Sequence, residues 1–298
     1  MSSAPAHMNV PTDAGRLPVG LLTLAEKKRL GDPLVMVTAY DFPSARAAEA
    51  AGVDLVLVGD SGAMTVLGYP STVAVTTDEL LMLARAVRRG LRTPFLIGDL
   101  PFGSYEESDQ QAIATAMRFV KEAGCDAVKL ERGNQTSVAR ARAIVQAGIP
   151  VMGHVGLTPQ TATQLGGYKA QGRDADAAVR IAREALALQE AGCFSLVFEA
   201  IPAAVSEALM PKLEIPVIGI GAGPATDGQV LVFHDLLGIR EGRGAKFVQR
   251  YADLQDEMNA GVSAYAADVR ERRYPGPEHT YGIDELSLAQ FRSELAAL

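Results

Sequence analysis

Tryptophan is absent from this chain of 298 residues, and cysteine and histidine are rare, with two and four copies. Two cysteines cannot build a disulfide framework, so we expect Cys125 and Cys193 to pack as small apolar residues in a reducing compartment. A zinc site would need clustered Cys or His, and no such cluster stands in the sequence. Any metal centre is therefore expected to use oxygen ligands.

Long apolar runs and basic segments are also missing. No apolar run approaches the ~18 residues that a membrane-spanning helix needs, and the N-terminus lacks a charged region followed by an apolar stretch. The formal net charge is −7, and no segment concentrates Lys and Arg, which argues against nucleic acid or an acidic membrane surface as a partner. We expect a cytoplasmic protein with no membrane span, and a mobile arm over residues 1–20.

What the chain does have is a series of short apolar runs bounded by turn residues. Each run is rich in Val, Ile, Leu or Phe and predicts a buried parallel strand. Eight strands are predicted, at 34–38, 54–59, 95–99, 127–131, 150–154, 195–199, 216–220 and 230–234. The connection before the eighth strand is too short for an ordinary crossover helix, so it is expected to be irregular.

Helices are predicted between these strands. The pair Ala-Gly closes four amphipathic stretches, and Gly is the usual residue just past a helix C-terminus. The predicted helices lie near 43–51, 77–89, 108–123, 135–147, 174–191 and 203–213, with two more at 252–270 and 284–297. This alternation predicts a (β/α)8 TIM-type barrel over 34–283, after an N-terminal arm and helix over 1–33 and before a C-terminal helical tail over 284–298.

Acidic or otherwise reactive side chains stand where five of the apolar runs end. They are Asp60, Asp99, Glu131 with Lys129 two residues earlier, His154, and Glu199. A carboxylate at the end of a buried strand is costly to hold unless it binds something. Because the C-terminal ends of all barrel strands meet at one mouth, the pattern predicts that these groups face a single site.

Three of the acids, Asp60, Asp99 and Glu131, are hard oxygen ligands, which favour Mg²⁺. Lys129 and Glu131 are two residues apart on one strand and point to the same face. Lys129 can therefore neutralise a substrate carboxylate or an enolate oxygen. The alternative is an internal ion-pair network that closes the end of the barrel, although such a network seldom needs four acids against one lysine.

The other candidates each have a functional and a structural interpretation. Glu199 ends the sixth strand across the mouth from the metal acids, which makes it the best candidate for a general base. Otherwise it is a further metal ligand or a paired structural acid. Ser61 can bind a substrate oxygen or cap a backbone NH in a turn. His154 can hydrogen-bond a substrate carboxylate or serve as a structural histidine.

Two glycine-rich segments invite comparison with ligand-binding loops. Residues 219–223 lack the spacing of a dinucleotide-binding loop, so a turn that allows close approach of the backbone is the better interpretation. Residues 166–172 have Gly at both ends and Lys169 inside, which suits either a mobile loop over the site or a surface turn.

Ten segments, in order, resemble a single enzyme family, ketopantoate hydroxymethyltransferase. They are VTAYDFPSA at 37–45, LVGDS at 57–61, STVAVT at 71–76, GDLPFGSY at 98–105, VKLERG at 128–133, GHVGLTPQ at 153–160, GGYKAQGR at 166–173, FEAIP at 198–202, PVIGIGAGPATDGQVLVFHDLLGI at 216–239 and YPGPEHTY at 274–281. The resemblance implies a barrel of the phosphoenolpyruvate/pyruvate type. It also implies transfer of a one-carbon unit from 5,10-methylenetetrahydrofolate to 2-oxoisovalerate, giving ketopantoate for pantothenate synthesis. Family members commonly form decamers, so a homo-oligomer is implied.

The resemblance also implies a role for each site residue. The Mg²⁺ ligands would be Asp60, Asp99 and, directly or through water, Glu131. The groups that bind the oxo acid would be Ser61, Lys129 and His154. The base would be Glu199.

The chain departs from the family pattern at a few positions. Gly62-Ala63 stand where Leu-Gly is usual, Pro70 where Asp is usual, Ala74 where Pro is common, and Arg132 where Gly is usual. None of these changes removes a named site residue. We expect them to alter the loop after Asp60 and the charge beside Glu131.

Two other classes of function are alternatives to this family. A related lyase or mutase would act on a Mg²⁺-bound oxo acid, but isocitrate-lyase-type members use a Cys in a Lys-Lys-Cys-Gly-His segment, and neither cysteine here lies in one. A non-catalytic barrel that only binds an oxo acid or a folate would leave Glu199 or the metal acids without a task.

Overall fold

The computed structural model describes residues 15–164, 166–240, 242 and 244–298, so most of the predicted N-terminal arm lies outside the described residues. Eight parallel strands close into a barrel in chain order, and β8 pairs with β1. The strands are β1 (Leu34–Thr38), β2 (Leu55–Val58), β3 (Phe95–Asp99), β4 (Ala127–Lys129), β5 (Val151–Gly156), β6 (Ser195–Glu199), β7 (Val217–Ile220) and β8 (Gly228–Leu231). The predicted (β/α)8 barrel is confirmed.

The α-helices of the described residues follow the predicted alternation, with two short helices after β2 and β8 that were not predicted. They are α1 (Leu21–Leu30), α2 (Phe42–Ala51), α3 (Gly62–Thr65), α4 (Thr77–Gly90), α5 (Asp109–Ala123), α6 (Gln135–Gln146), α7 (Ala175–Glu190), α8 (Ala203–Leu209), α9 (Phe233–Leu236), α10 (Leu254–Arg270) and α11 (Glu285–Leu295). The glycines of the four Ala-Gly pairs have φ angles between 69° and 96°. This left-handed conformation is the one that ends a helix with Gly.

The eighth strand differs from its prediction. It spans Gly228–Leu231 instead of the predicted 230–234, and residues 233 and 234 lie in α9. Residues 221–227 connect it to β7 without a helix, as predicted. A Cβ built on Gly228 would lie 2.3 Å from the carbonyl oxygen of Leu34. Gly228 pairs with Leu34 of β1, and the two strands are so close there that only glycine fits. In the sequence, this glycine resembles a turn residue.

The barrel interior is filled by apolar side chains at every second strand position. Leu34, Leu55 and Phe95 are buried there together with Leu24 from α1. A second layer of buried residues lies between the strands and the surrounding helices. The two free cysteines are buried, and burial raises the pKa of each thiol to about 12, in agreement with their predicted role as small apolar residues.

The same alternation carries reactive side chains into the barrel mouth. In β3 the interior residue Ile97 is followed two positions later by Asp99, and in β5 Met152 is followed by His154. Side chains two residues apart on a strand share a face. The sequence that packs the core therefore also aims these polar groups at the axis of the barrel.

The described chain forms two compact units, one reaching Tyr251 and the other comprising Ala252–Leu298. The first contains the barrel, and the second contains α10 and α11. The predicted domain boundaries after residues 33 and 283 stay predictions. No helix in the described ranges combines the length and the apolar character needed to cross a membrane.

Glu49 on α2 links that helix to the segment before β3. Its buried carboxylate accepts hydrogen bonds from the backbone NH groups of Arg92 at 2.6 Å and Thr93 at 3.1 Å, and from the Thr93 hydroxyl at 2.8 Å. Burial alone would raise the pKa of Glu49. The hydrogen bonds lower the pKa by more than burial raises it, so the net pKa lies below 4.5. The stabilisation is therefore present above pH 4.5 and is lost as the pH falls through the lowered pKa.

We predict that Glu49→Gln lowers the free energy of unfolding at neutral pH by roughly 1–3 kcal/mol, because the amide puts a donor group against backbone NH groups. The difference from the unchanged chain should shrink as the pH falls below 4.5. Urea unfolding at several pH values measures both effects, with Glu207→Gln on the exposed side of α8 as control. A difference that is constant with pH would show that the carboxylate charge does not stabilise the fold.

Candidate active site

All seven predicted site residues line one cavity of about 450 Å³ at the C-terminal mouth of the barrel. They are Asp60, Ser61, Asp99, Lys129, Glu131, His154 and Glu199. The prediction that these groups face a single site is confirmed in its geometry. Their individual roles stay predictions.

A chain of short contacts begins at the ends of β2, β3 and β4. The backbone NH of Asp60 donates a hydrogen bond to Asp99 Oδ2 at 3.1 Å. The Lys129 ammonium lies 2.9 Å from Asp99 Oδ1 and 3.8 Å from Glu131 Oε1. Lys129 thus stands between two carboxylates, and all of these side chains are buried.

His154 continues the chain of contacts across the mouth. Its Nδ1 lies 3.4 Å from Glu131 Oε1, and its Nε2 lies 3.3 Å from Glu199 Oε2. Burial and the charge of Lys129 lower the pKa of His154. The two carboxylates raise the pKa by more than this, to about 9. The ring of His154 links the acid cluster to Glu199, and its Nδ1 also lies 3.4 Å from the Lys129 ammonium.

Ser61 joins the site through a tyrosine that the sequence analysis did not single out. Its hydroxyl lies 2.8 Å from the hydroxyl of Tyr40. Among the described residues it makes no capping hydrogen bond to α3, so the interpretation of Ser61 as a turn cap is not supported. Tyr40 is buried, and burial raises its pKa to about 12.

Gln160 is the residue that holds the acid cluster together, and it was missed. Its side-chain amide NH₂ donates to Asp60 Oδ2 at 3.1 Å and to the Leu100 carbonyl at 2.9 Å, while its side-chain oxygen accepts from the Tyr105 hydroxyl at 2.8 Å. Its backbone NH donates to Glu131 Oε2 at 3.0 Å. The signal was the segment GHVGLTPQ, which ends on this glutamine.

The charges of the cluster are not balanced by its own residues. Burial, followed by the charges of Asp99 and Glu131, raises the pKa of Asp60 well above its ordinary value. Burial also raises the pKa of Asp99, although Lys129 opposes this. The pKa of Glu131 is lowered, because contacts with His154 and Lys129 outweigh the effect of burial. Burial lowers the pKa of Lys129, but the three acids outweigh it, so this group stays an ammonium.

The donor set fits a magnesium ion. Asp99 Oδ1 is buried and has no hydrogen-bond donor in the described part of the chain, although Lys129 is paired with it. Within the same residues no three His, Cys, Asp or Glu side chains form a ready-made metal cage. Mg²⁺ usually takes only one or two protein carboxylates and keeps positions for water and substrate. Asp60 and Asp99 suit this pattern, and Glu131 can contribute through water.

The departures from the family pattern are accommodated in two ways. After Asp60 the chain forms the short helix α3, and Gly62 leaves room for the ring of Tyr40, which a Cβ would approach to 2.8 Å. Arg132 has a φ of 74°, a left-handed conformation that costs a non-glycine residue roughly 1–2 kcal/mol. Its side chain lines a separate cavity with Arg180 and Glu184.

We predict that Gln160→Ala lowers the free energy of unfolding by roughly 2–4 kcal/mol, because it leaves the Tyr105 hydroxyl, the Leu100 carbonyl and Asp60 Oδ2 buried with fewer partners. Thermal and urea unfolding measure the loss. The matched control is Gln146→Ala at the exposed end of α6. Equal stability of the two variants would contradict the bridging role of Gln160.

A family model described as ketopantoate hydroxymethyltransferase matches residues 19–277. The chain is 48% identical to 3-methyl-2-oxobutanoate hydroxymethyltransferase 1, mitochondrial, of Arabidopsis thaliana over 286 residues, covering 94% of this chain and 82% of the relative. It is 51% identical over 251 residues to the 3-methyl-2-oxobutanoate hydroxymethyltransferase of Thermus thermophilus, covering 84% of this chain and 95% of the relative.

Solved structures with similar folds have much lower sequence identity. Phosphoenolpyruvate phosphomutase from Streptomyces platensis subsp. rosaceus has a TM-score of 0.55 at 16% identity, covering 92% of this chain and 97% of that one. A 2,3-dimethylmalate lyase has a TM-score of 0.58 at 18% identity, covering 89% of each chain. These likenesses support the barrel fold alone. The family model and the close relatives go further: this chain belongs to the ketopantoate hydroxymethyltransferase family of enzymes.

Proposed function

We propose that this enzyme transfers a hydroxymethyl group from 5,10-methylenetetrahydrofolate to 2-oxoisovalerate in a Mg²⁺-dependent reaction that gives ketopantoate for pantothenate synthesis. One observation carries the proposal. The candidate metal ligands, the candidate oxo-acid-binding groups and the candidate base line one cavity, in a chain of contacts shorter than 4 Å from Asp99 to Glu199.

The names of the relatives support the choice of oxo acid. 3-Methyl-2-oxobutanoate is the systematic name of 2-oxoisovalerate, and the relatives are called hydroxymethyltransferases of that compound. The match extends over 82% and 95% of the lengths of these two relatives. The likeness therefore extends over the whole barrel and not over a shared fragment.

Asp60 and Asp99 would hold the magnesium ion, with Glu131 acting directly or through water. When bound, Mg²⁺ polarises a carbonyl group and stabilises negative charge on oxygen as a Lewis acid. The Lys129 ammonium and the His154 ring beside it offer a positive charge and a hydrogen-bonding group at the same end of the cavity. They favour a bound carboxylate and the enolate oxygen that forms during the reaction. Ser61, held by Tyr40, offers a hydroxyl to a substrate oxygen.

Glu199 is the proposed base, because it stands at the opposite end of the contact chain from the metal acids and its side chain is partly open to the cavity. It takes the proton from carbon 3 of the oxo acid, and the C–H electron pair moves into the enolate. The enolate carbon then attacks the methylene carbon of the folate, forming a C–C bond. This attack breaks one of the two C–N bonds of the methylene carbon. Water supplies the hydroxyl group as the second C–N bond breaks. Tetrahydrofolate leaves with a proton on each of the two nitrogens, one from carbon 3 by way of Glu199 and one from the water.

A lyase or mutase that acts on an oxo acid would share the enolising residues, and a binding protein would share only the pocket. The close relatives favour the transferase over both. Cytoplasmic location and assembly into a homo-oligomer, including a decamer, stay predictions. The name of the Arabidopsis relative specifies mitochondria for that protein.

The protein is expected to catalyse exchange of the proton on carbon 3 of 2-oxoisovalerate in deuterated water with Mg²⁺ and without folate. Proton NMR follows the exchange, because the methyl doublet collapses as carbon 3 gains deuterium. Addition of 5,10-methylenetetrahydrofolate should then yield ketopantoate. Exchange without ketopantoate would favour a lyase or mutase, and absence of exchange would favour a binding protein.

Glu199→Gln should slow this exchange by about 10²–10⁴-fold, the usual contribution of a general base, while Mg²⁺-dependent binding of the oxo acid is retained. The matched control is Glu190→Gln at the exposed end of α7. Exchange in the Glu199→Gln variant at the rate of the control would rule out Glu199 as the base.

A further inference from the structure

A second cavity adjoins the acid cavity at the barrel mouth. It has a volume of about 660 Å³, within the range of cavities that bind drug-sized ligands. The two cavities share four lining residues, which are Tyr168, Glu199, Ala245 and Phe247. A ligand in this adjoining cavity can therefore reach the same carboxylate that faces the oxo acid.

The inner wall of the adjoining cavity is apolar and suits a flat ring. Leu157, Ile201, Pro202 and Phe247 contribute to it. Phe247 is seated against the backbone of Gly221, where a Cβ would lie 2.4 Å from a ring carbon. Gly221 also has a φ of 65°, so this position requires Gly both for its conformation and for the space that Phe247 occupies. The prediction of a close-approach turn over residues 219–223 is confirmed.

The outer rim of the adjoining cavity is cationic. Lys169, Arg173 and Lys246 line it, and all three are exposed. Among the residues that line this cavity in the described chain, the one acid is Glu199, at the inner end. The cavity therefore passes from an apolar slot beside Glu199 to a positive rim, which matches a ligand with a flat uncharged ring at one end and carboxylates at the other.

We propose that the adjoining cavity binds the reduced folate, with the pterin against Phe247 and Tyr168 and the glutamyl carboxylates at Lys169, Arg173 and Lys246. This inference rests on the proposed function, which supplies a folate as the one-carbon donor. In this orientation the one-carbon unit, which is carried on the pterin ring, lies at the end of the cavity shared with the oxo acid. The carbon to be transferred and carbon 3 of the acceptor then meet beside Glu199.

A third cavity offers the competing location for the folate tail. It has a volume of about 420 Å³, and its charged lining residues are Arg132, Arg180 and the acid Glu184. It shares no lining residue with the acid cavity. A folate placed there would hold its one-carbon unit away from Glu199, so the adjoining cavity is the better site.

The test is direct binding of 5-formyltetrahydrofolate, a stable folate, measured by calorimetry in the presence of Mg²⁺. Arg173→Ala combined with Lys246→Ala should raise the Kd for the folate about tenfold and weaken its dependence on salt, because the screened attraction to the glutamyl carboxylates is lost. Phe247→Ala should raise the Kd at least tenfold, and it should also weaken binding of 6-methyltetrahydropterin, which has no glutamyl tail. Arg180→Ala in the competing cavity is the matched control and should leave the Kd unchanged.

Three results would overturn the proposal. They are no folate binding by the unchanged protein, unchanged affinity in both the Arg173→Ala/Lys246→Ala and Phe247→Ala variants, or weaker binding in Arg180→Ala. The Arg173→Ala/Lys246→Ala variant changes only exposed side chains, so it tests the proposal even where Phe247→Ala fails to fold. Proton exchange into 2-oxoisovalerate without folate is measured in parallel. Exchange reports on the acid cavity alone, and formation of ketopantoate by the unchanged protein reports on the whole reaction. Ketopantoate formation together with unchanged folate affinity in the variants would overturn this location of the folate and not the proposed function.

Discussion

Burial of three carboxylates beside one ammonium at the end of a closed barrel is the constraint on which the rest of the site depends. Asp60, Asp99 and Glu131 are almost inaccessible to water, where like charges repel strongly because little solvent screens them. Lys129 offsets part of this repulsion, but burial and then the charges of Asp99 and Glu131 still raise the pKa of Asp60. A divalent cation is the partner that such a cluster favours, and the proposed chemistry uses that same property.

The barrel positions this cluster with the periodicity that also builds its core. In β3, β4, β5 and β6 an apolar interior residue is followed two positions later by a reactive one. The pairs are Ile97 and Asp99, Ala127 and Lys129, Met152 and His154, and Val197 and Glu199. Gln160 donates hydrogen bonds to Asp60 and Glu131, and the Tyr105 hydroxyl donates one to Gln160, so these two residues fix the positions of the acids. At the opposite end of the barrel, ion pairs from Lys27 to Asp54 and from Lys28 to Asp227 tie α1 to the strands. The core of the barrel and the position of the acid cluster therefore follow from one repeating pattern of side chains.

Much of this architecture could be predicted because it depends on local signals. Short Val-rich and Ile-rich runs predicted the strands, Gly after Ala marked the helix ends, and charged residues at strand ends predicted the shared cavity. The parts that were missed depend on tertiary contacts. Gly228 of β8 lies so close to Leu34 that a side chain is excluded. Gln160 hydrogen-bonds Asp60, which lies 100 residues earlier in the chain. Neither the close approach nor the bridging amide has a periodic signature in the sequence.

We propose that the acids at the barrel mouth bind a divalent cation together with the oxo acid. Crystals of the protein soaked with Mn²⁺ in place of Mg²⁺ and with 2-oxoisovalerate allow a direct test by anomalous diffraction, since Mn²⁺ shares the preference of Mg²⁺ for oxygen ligands. The account predicts one strong anomalous peak beside the carboxylates of Asp60 and Asp99, with the oxo acid in contact with it. A peak elsewhere, or no peak in a cavity that holds the oxo acid, would contradict it.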